Sequence, residues 1–159
     1  MRVKDVMVKS VKVCRPKMNL AEVVARMWDE CCGALPVVDE RGSVVSMITD
    51  RDICIALGTR NLKASEVNVE DVSLPRVFTC RPEQGVDAAL RTMVSQNVRR
   101  LPVVDSEGAP EGILSIDDLL RVEQTISPEE LTAAMRSIIA GRVAHAVHEP
   151  AELTVAVAG

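Results

Sequence analysis

The chain has 159 residues, 47% of them hydrophobic, which fits one ordinary globular domain or two small ones. Its net charge of −4 argues against general nucleic-acid binding, which relies on basic surface to neutralise phosphates. Trp28 and Phe78 are the only aromatic residues, so bases have no platform to stack on, and a planar ligand must lie between aliphatic side chains and backbone.

Leu-Pro-Val-Val-Asp occurs at Leu35–Asp39 and again at Leu101–Asp105, an offset of 66 residues. The same offset carries Cys14-Arg15-Pro16 onto Cys80-Arg81-Pro82, Met27 onto Met93, Gly42 onto Gly108 and Asp52 onto Asp118. The chain is a tandem duplication, and a fixed period decides the architecture before any local reading. A unit of about 50 residues buries too little surface to stand alone, so the halves are expected to share a core. Any site in one half should also have a pseudo-twin in the other.

In chain order, each half opens on a short extended piece, 11–14 or 77–80. The Arg-Pro that follows keeps the chain extended, because a residue before proline avoids the helical region. A helix comes next, 20–31 or 86–97. Asn19 and Glu22 can form a capping box for the first, and Gly85 takes the capping place of the second. Leu20, Val23, Val24, Met27 and Trp28, and then Val86, Ala89, Leu90, Met93 and Val94, are more than one buried stripe needs. One face should meet the sheet and another a partner. Leu-Pro-Val-Val is then a strand starting at proline and buried on both sides. Asp39–Gly42 and Asp105–Gly108 are turns that return the chain as strands 44–48 and 112–114. A second helix follows from Thr49 or Ser115, burying Ile53, Ile55 and Leu57 in one half and Leu119, Leu120 and Val122 in the other.

Each unit therefore reads β-α-β-β-α, an α/β (α+β type) fold with pseudo-two-fold symmetry. Residues 58–70 read as a polar surface linker. The units fall at 1–60 and 61–124, followed by a C-terminal helix and tail at 125–159. In that last part Ser127-Pro128-Glu129-Glu130 is a strong helix start, Leu131, Met135, Ile138 and Ile139 form a stripe, and Gly141 closes the helix. In the tail 142–159, residues 153–158 read equally as a strand or as disordered chain.

Enzyme signatures are absent from the sequence: there is no Gly-x-Ser-x-Gly, phosphate loop or zinc-finger spacing, and no histidine within the repeats. His145 and His148 are a weak metal pair or ordinary tail residues. The five cysteines, odd in number and without Cys-x-x-Cys spacing, suggest a reducing, cytoplasmic setting with buried thiols. The adjacent Cys31 and Cys32 read as structural rather than redox-active. No apolar run approaches the roughly 20 residues of a membrane span, and the Met1 end has no targeting character.

The informative pair is Thr49-Asp50-Arg51-Asp52 and Ser115-Ile116-Asp117-Asp118, each Ser/Thr-x-x-Asp at a strand-to-helix junction. Any helix may carry this as a cap. The same geometry offers free backbone N–H groups and a hydroxyl to a phosphate, with a carboxylate one turn in for two ribose hydroxyls. Recurrence at matched positions leaves both readings standing.

With these residues in place, the chain resembles a tandem pair of CBS domains (a Bateman module), over about residues 1–122. The family pattern Gly-h-h-Ser/Thr-x-x-Asp, where h is apolar, matches Gly112–Asp118 fully, while Ser46 replaces the glycine in the first copy. The stretches before proline, Cys32–Leu35 and Val98–Leu101, lack the family's leading glycine. The resemblance implies a stand-alone regulatory module without catalytic cofactor. It would bind an adenosine-containing ligand (AMP, ADP, ATP, S-adenosylmethionine, NAD or cyclic di-AMP) in clefts between the halves. It implies ribose at Asp52 and Asp118 and phosphate at Thr49 and Ser115. Adenine would lie between Val11, Val13, Val77 and Thr79 and the residues around Pro36 and Pro102.

Arg99, Arg100 and Arg51 read either as phosphate ligands or as solvated surface arginines. Arg99 and Arg100 lead into the second proline strand, so the cleft at Ser115 and Asp118 is expected to be the occupied one. A homodimer through helix faces is expected, with Trp28 as an anchor or a core residue, no nucleic acid or membrane, and an unidentified protein partner as the listener. The rival is a scaffold with vacant clefts.

Overall fold

Both Leu-Pro-Val-Val segments are strands in a computed structural model, which describes residues 1–121 and 126–148. The first half comprises β1 (Val8–Lys9), α1 (Leu20–Asp29), β2 (Ala34–Val38), β3 (Val44–Thr49) and α2 (Asp50–Arg60). The second has α3 (Val86–Gln96), β4 (Arg100–Val104), β5 (Pro110–Ser115) and the short α4 (Ile116–Leu120). Asn19 accepts from the Glu22 N–H at 3.0 Å, and Gly85 stands at the N-cap of α3 without a side-chain bond. The helices end earlier than periodicity alone predicts, at Asp29 and Gln96. The chain leaves them through Cys31 (φ 49°) and Asn97 (φ 54°) in the left-handed region.

The hairpins have matching registers, Leu35 opposite Ile48 and Leu101 opposite Leu114. Every residue of β2 is buried, as the double valine predicted. Pro36 and Pro102 stand inside their strands rather than at the start. Each lies where the far side of the strand carries a single parallel bridge, Cys14 to Val37 or Cys80 to Val103. A missing N–H costs little at such an edge. The turn aspartates use one oxygen twice: Asp39 Oδ1 accepts from the N–H groups of Arg41 and Ser43, and Asp105 Oδ1 from those of Glu107 and Ala109. Gly42 and Gly108 take φ values of 85° and 87°, which side chains disfavour.

The expected shared core is instead two cores, each completed by the other half. Val3 packs among Leu90, Met93, Leu101 and Leu114, whereas Val67 and Val69 pack among Leu20, Leu35 and Ile48. The backbone repeats the exchange: Val3 N–H donates to Gln84 and Val69 N–H to Met18, both at 2.9 Å. The segment 58–70 is largely exposed, as a surface linker should be, but two of its valines, Val67 and Val69, close the first core.

Within the second helices, Ile53 and Leu119 are buried and Leu57 is half-buried, but Ile55 and Leu120 are exposed, with Ala56 facing inward in the first. Val122 lies outside the described residues. On the first helices Val24 and Trp28 are exposed, so Trp28 is no core residue.

α5 (Pro128–His148) begins at Ser127, whose hydroxyl accepts from the Glu130 N–H at 3.1 Å. It buries Leu131, Ala134 and Ile138 against the second core, while Ile139 faces out. The helix runs through Gly141 rather than ending there. A Cβ at that position would collide with the Asn97 side chain, so the glycine serves close approach to α3. Residues 149–159, including the stretch 153–158, lie outside the described residues, as do the side chains of His145 and His148. No helix of the described residues is long and apolar enough to cross a membrane.

Candidate functional site

Both Ser/Thr-x-x-Asp motifs form reciprocal capping boxes. Thr49 Oγ1 accepts from the Asp52 N–H at 3.2 Å, and Asp52 Oδ2 accepts from the Thr49 N–H and hydroxyl at 3.0 and 2.6 Å. The Ser115–Asp118 box has the matching distances of 3.2, 2.8 and 2.5 Å. Only Oδ2 of each carboxylate is used. Oδ1 of Asp118 makes no hydrogen bond among the described residues and has Arg121 Nη1 at 4.0 Å. Capping therefore leaves the second oxygen of each carboxylate without a hydrogen bond among the described residues.

In the first half the N–H groups expected to be free at the helix start are bonded within the protein. In α2 the Asp50 N–H donates to Gly33 O at 3.1 Å, the Arg51 N–H to Asp50 Oδ1 at 2.7 Å and the Asp52 N–H to Thr49. In the second half the Ile116 N–H donates to Arg99 O at 3.0 Å. An anion at Thr49 must be held by side chains rather than by the helix terminus.

Two clefts flank the junction of the repeats, and each is built from the motif of one half and the opening segment of the other. The Thr49 cleft, about 470 Å³, brings Thr49, Asp50 and Arg51 to Leu74, Arg76, Val77 and Phe78 and to the 95–100 segment. The Ser115 cleft, about 320 Å³, brings Ser115 and Asp118 to Val8–Lys12 and to the 30–35 segment. Thus Thr49, Arg51, Val77, Arg99 and Arg100 meet in one cleft, and Ser115, Asp118, Val11 and Arg100 in the other. Arg99 lines only the Thr49 cleft while Arg100 lines both, so of the two arginines that favoured the Ser115 cleft one stays and the other serves its twin.

Pro36, Pro102, Val13, Thr79 and Asp52 line neither cleft. The prolines are buried, and their carbonyls accept from the N–H groups of Cys14 and Cys80 at 2.9 and 3.0 Å. Sequence reading missed Arg76, Phe78, Lys9 and Lys12. They are neighbours of Val77 and Val11 in the opening segments, and only the exchange between halves brings them to a motif.

Of the five thiols, Cys14 and Cys80 are buried, Cys32 is half-buried, and Cys31 and Cys54 are exposed, so the expectation of buried thiols fails for Cys31 and Cys54. Burial pushes the Cys14 and Cys80 thiols up to about 11. No group of three or more His, Cys, Asp or Glu side chains among the described residues is placed to hold a metal ion.

The sequence profile of the CBS domain matches residues 3–59 and 69–124. YlbB of Bacillus subtilis is 32% identical over 125 residues, 78% of this chain and 83% of that protein. The MK0525 protein of Methanopyrus kandleri is 31% identical over 68% of this chain, and there the chain spans only 55% of the relative's length. The L-aspartate semialdehyde sulfurtransferase of Methanosarcina acetivorans is 29% identical over 76% of this chain but only 23% of that enzyme. Among solved structures, the CBS domain pair of MJ0100 in complex with 5′-methylthioadenosine and S-adenosyl-L-methionine has a TM-score of 0.69 at 29% identity, covering 76% of this chain and 98% of that one. CBSX2, a CBS-pair protein of Arabidopsis thaliana, was solved in complex with AMP and has a TM-score of 0.64 at 26% identity, covering 76% of this chain and 93% of that one.

Proposed function

The chain belongs to the CBS domain family, and from that premise we propose that it is a cytoplasmic, non-enzymatic sensor of an adenosine-containing ligand held in the clefts between its repeats. The observation that carries this is the pair of clefts at matched motifs, the second of which has at its wall buried Asp118, whose Oδ1 makes no hydrogen bond among the described residues and faces only the exposed Arg121 at 4.0 Å. A carboxylate oxygen so placed accepts from ribose hydroxyls, and Ala34, Leu35 and Ile113 supply the aliphatic surface for an adenine. The MJ0100 and CBSX2 pairs, with 5′-methylthioadenosine, S-adenosylmethionine and AMP, support the ligand class. The enzymes among the relatives match over about a quarter of their length, which supports a regulatory role for the shared part.

The experiment is calorimetric titration of AMP and S-adenosylmethionine into the wild type and Asp118→Asn. The amide can still accept from the Ser115 N–H, but it replaces Oδ1 with a donor. One site is expected to weaken at least tenfold while the melting temperature stays within a few degrees of wild type; full affinity in the variant removes Asp118 from the site.

The chain is further proposed to pair with a second copy through the exposed apolar faces of α1, α2 and α4, where Val24, Trp28, Ile55 and Leu120 stand. The scaffold reading is favoured by one observation: the Thr49 hydroxyl and the N–H groups beside it are already bonded within the protein. Absence of binding by every adenosine compound in the titration would select it.

A further inference from the structure

The two clefts are twins in backbone but not in charge. Arg51, Arg76, Arg99 and Arg100 line the Thr49 cleft against a single carboxylate, Asp50. Their counterparts one repeat away are Asp117, Ser10, Gly33 and Ala34; Arg100 reaches both clefts, so Arg51, Arg76 and Arg99 are the guanidinium groups found on one side of the pseudo-symmetry alone. The Ser115 cleft has Lys9, Lys12 and Arg100 but also Glu30 and Asp118, and Lys12 lies 3.8 Å from Glu30.

Arg51, Arg99 and Arg100 form no ion pair among the described residues, and Arg76 has only neutral neighbours, the Phe78 ring at 4.7 Å and Gln96 Oε1 at 3.5 Å. Four like charges converging on one cleft repel one another, and their field concentrates anions there. Because the first-turn N–H groups of α2 are satisfied within the protein, anion recognition rests on these forked side chains, which match phosphate oxygens two at a time.

We propose that the clefts divide their ligands by phosphate content: the Thr49 cleft takes a nucleoside di- or triphosphate, and the Ser115 cleft takes a nucleoside or thionucleoside bearing little or no phosphate. The nucleoside part of this assignment rests on the adenosine reading above; the polyanion part rests on the arginines alone.

The test is calorimetric titration of adenosine, AMP, ADP, ATP and inorganic triphosphate into the full chain and into Arg99→Ala and Arg51→Ala. Both arginines are exposed, so the variants should fold, and their melting temperatures confirm it. In the wild type, affinity at one site should climb from AMP to ATP and fall steeply with salt. Inorganic triphosphate should compete with ATP there. Each variant should lose at least tenfold for ATP and triphosphate and leave adenosine unchanged. Binding indifferent to phosphate number and to both substitutions overturns the division while leaving the adenosine sensor standing. Triphosphate bound through Arg99 with no nucleoside preference at either site supports the polyanion cleft and removes the adenosine reading. Failure of triphosphate and every nucleotide to bind overturns both.

Discussion

Asp39 and Asp105, the last residues of the duplicated pentapeptide, each hold two backbone N–H groups of a hairpin turn. That role was readable from the sequence, because aspartate before a glycine turn bonds the backbone just ahead of it. The roles of Pro36 and Pro102 were not, because their place beneath the Cys14 and Cys80 bridges depends on a parallel contact 22 residues away. Those two thiols carry a pH dependence. Burial raises them from 9.0 to about 11, so the native state keeps protons that the unfolded chain releases first. Their contribution to stability is complete below about pH 9 and is lost as the pH rises through 11. Denaturant unfolding of the wild type should show stability falling between pH 9 and 11, with a flatter limb in Cys14→Ala/Cys80→Ala. The chain has no tyrosine to titrate in the same range. A limb of equal slope in the variant would assign the loss to other groups.

Among the elements, the α-β-β-α order of each half followed from periodicity and the hairpin registers match, but the opening strands expected at 11–14 and 77–80 are reduced to single bridges at Cys14 and Cys80, and β1 lies earlier, at Val8–Lys9. What periodicity missed is why one sheet has three strands and the other two. β1 pairs with β5, Lys9 opposite Gly112, and a Cβ on Gly112 would lie 2.5 Å from Val8 O. In the first half Ser46 fills that place, and its hydroxyl donates to Leu74 O at 2.5 Å. Pro75, the counterpart of Lys9, also has no N–H to give. The departure of Ser46 from the family pattern is thus a change in how the opposite segment is attached, from ladder to side-chain bond. Gly112→Ser should push β1 away and cost about 1–3 kcal/mol, as overpacking does. Amide hydrogen exchange at Lys9 and Ile113 should quicken in the variant; unchanged protection with unchanged stability would disprove the close approach.

At the scale of the whole molecule, the duplication promised twin sites but could not say which halves build them. Exchange of the opening segments, with Val3 in one core and Val67 and Val69 in the other, crosses each motif with the other repeat. This moved Arg99 from the Ser115 motif to the Thr49 cleft. No local pattern reports it, because the contacts join residues roughly a repeat apart. The same scale sets assembly. Trp28 is 83% exposed on α1, beside a groove of about 730 Å³ lined by Val24, Met27 and Cys32. An exposed tryptophan next to apolar surface is a strong candidate for an interface anchor. Sedimentation should give a dimer for the wild type and a shift toward monomer for Trp28→Glu; a monomeric wild type would remove the proposed pairing.

Whether this chain senses an adenosine-containing ligand is decided by its melting temperature with 5′-methylthioadenosine, S-adenosylmethionine, AMP, ADP and ATP. A compound at 100 times its dissociation constant stabilises the native state by about 2.7 kcal/mol, which is several degrees in a chain of this size. Such a rise is expected with at least one of the five; a melting temperature unmoved by all of them at millimolar concentration would rule the sensor out.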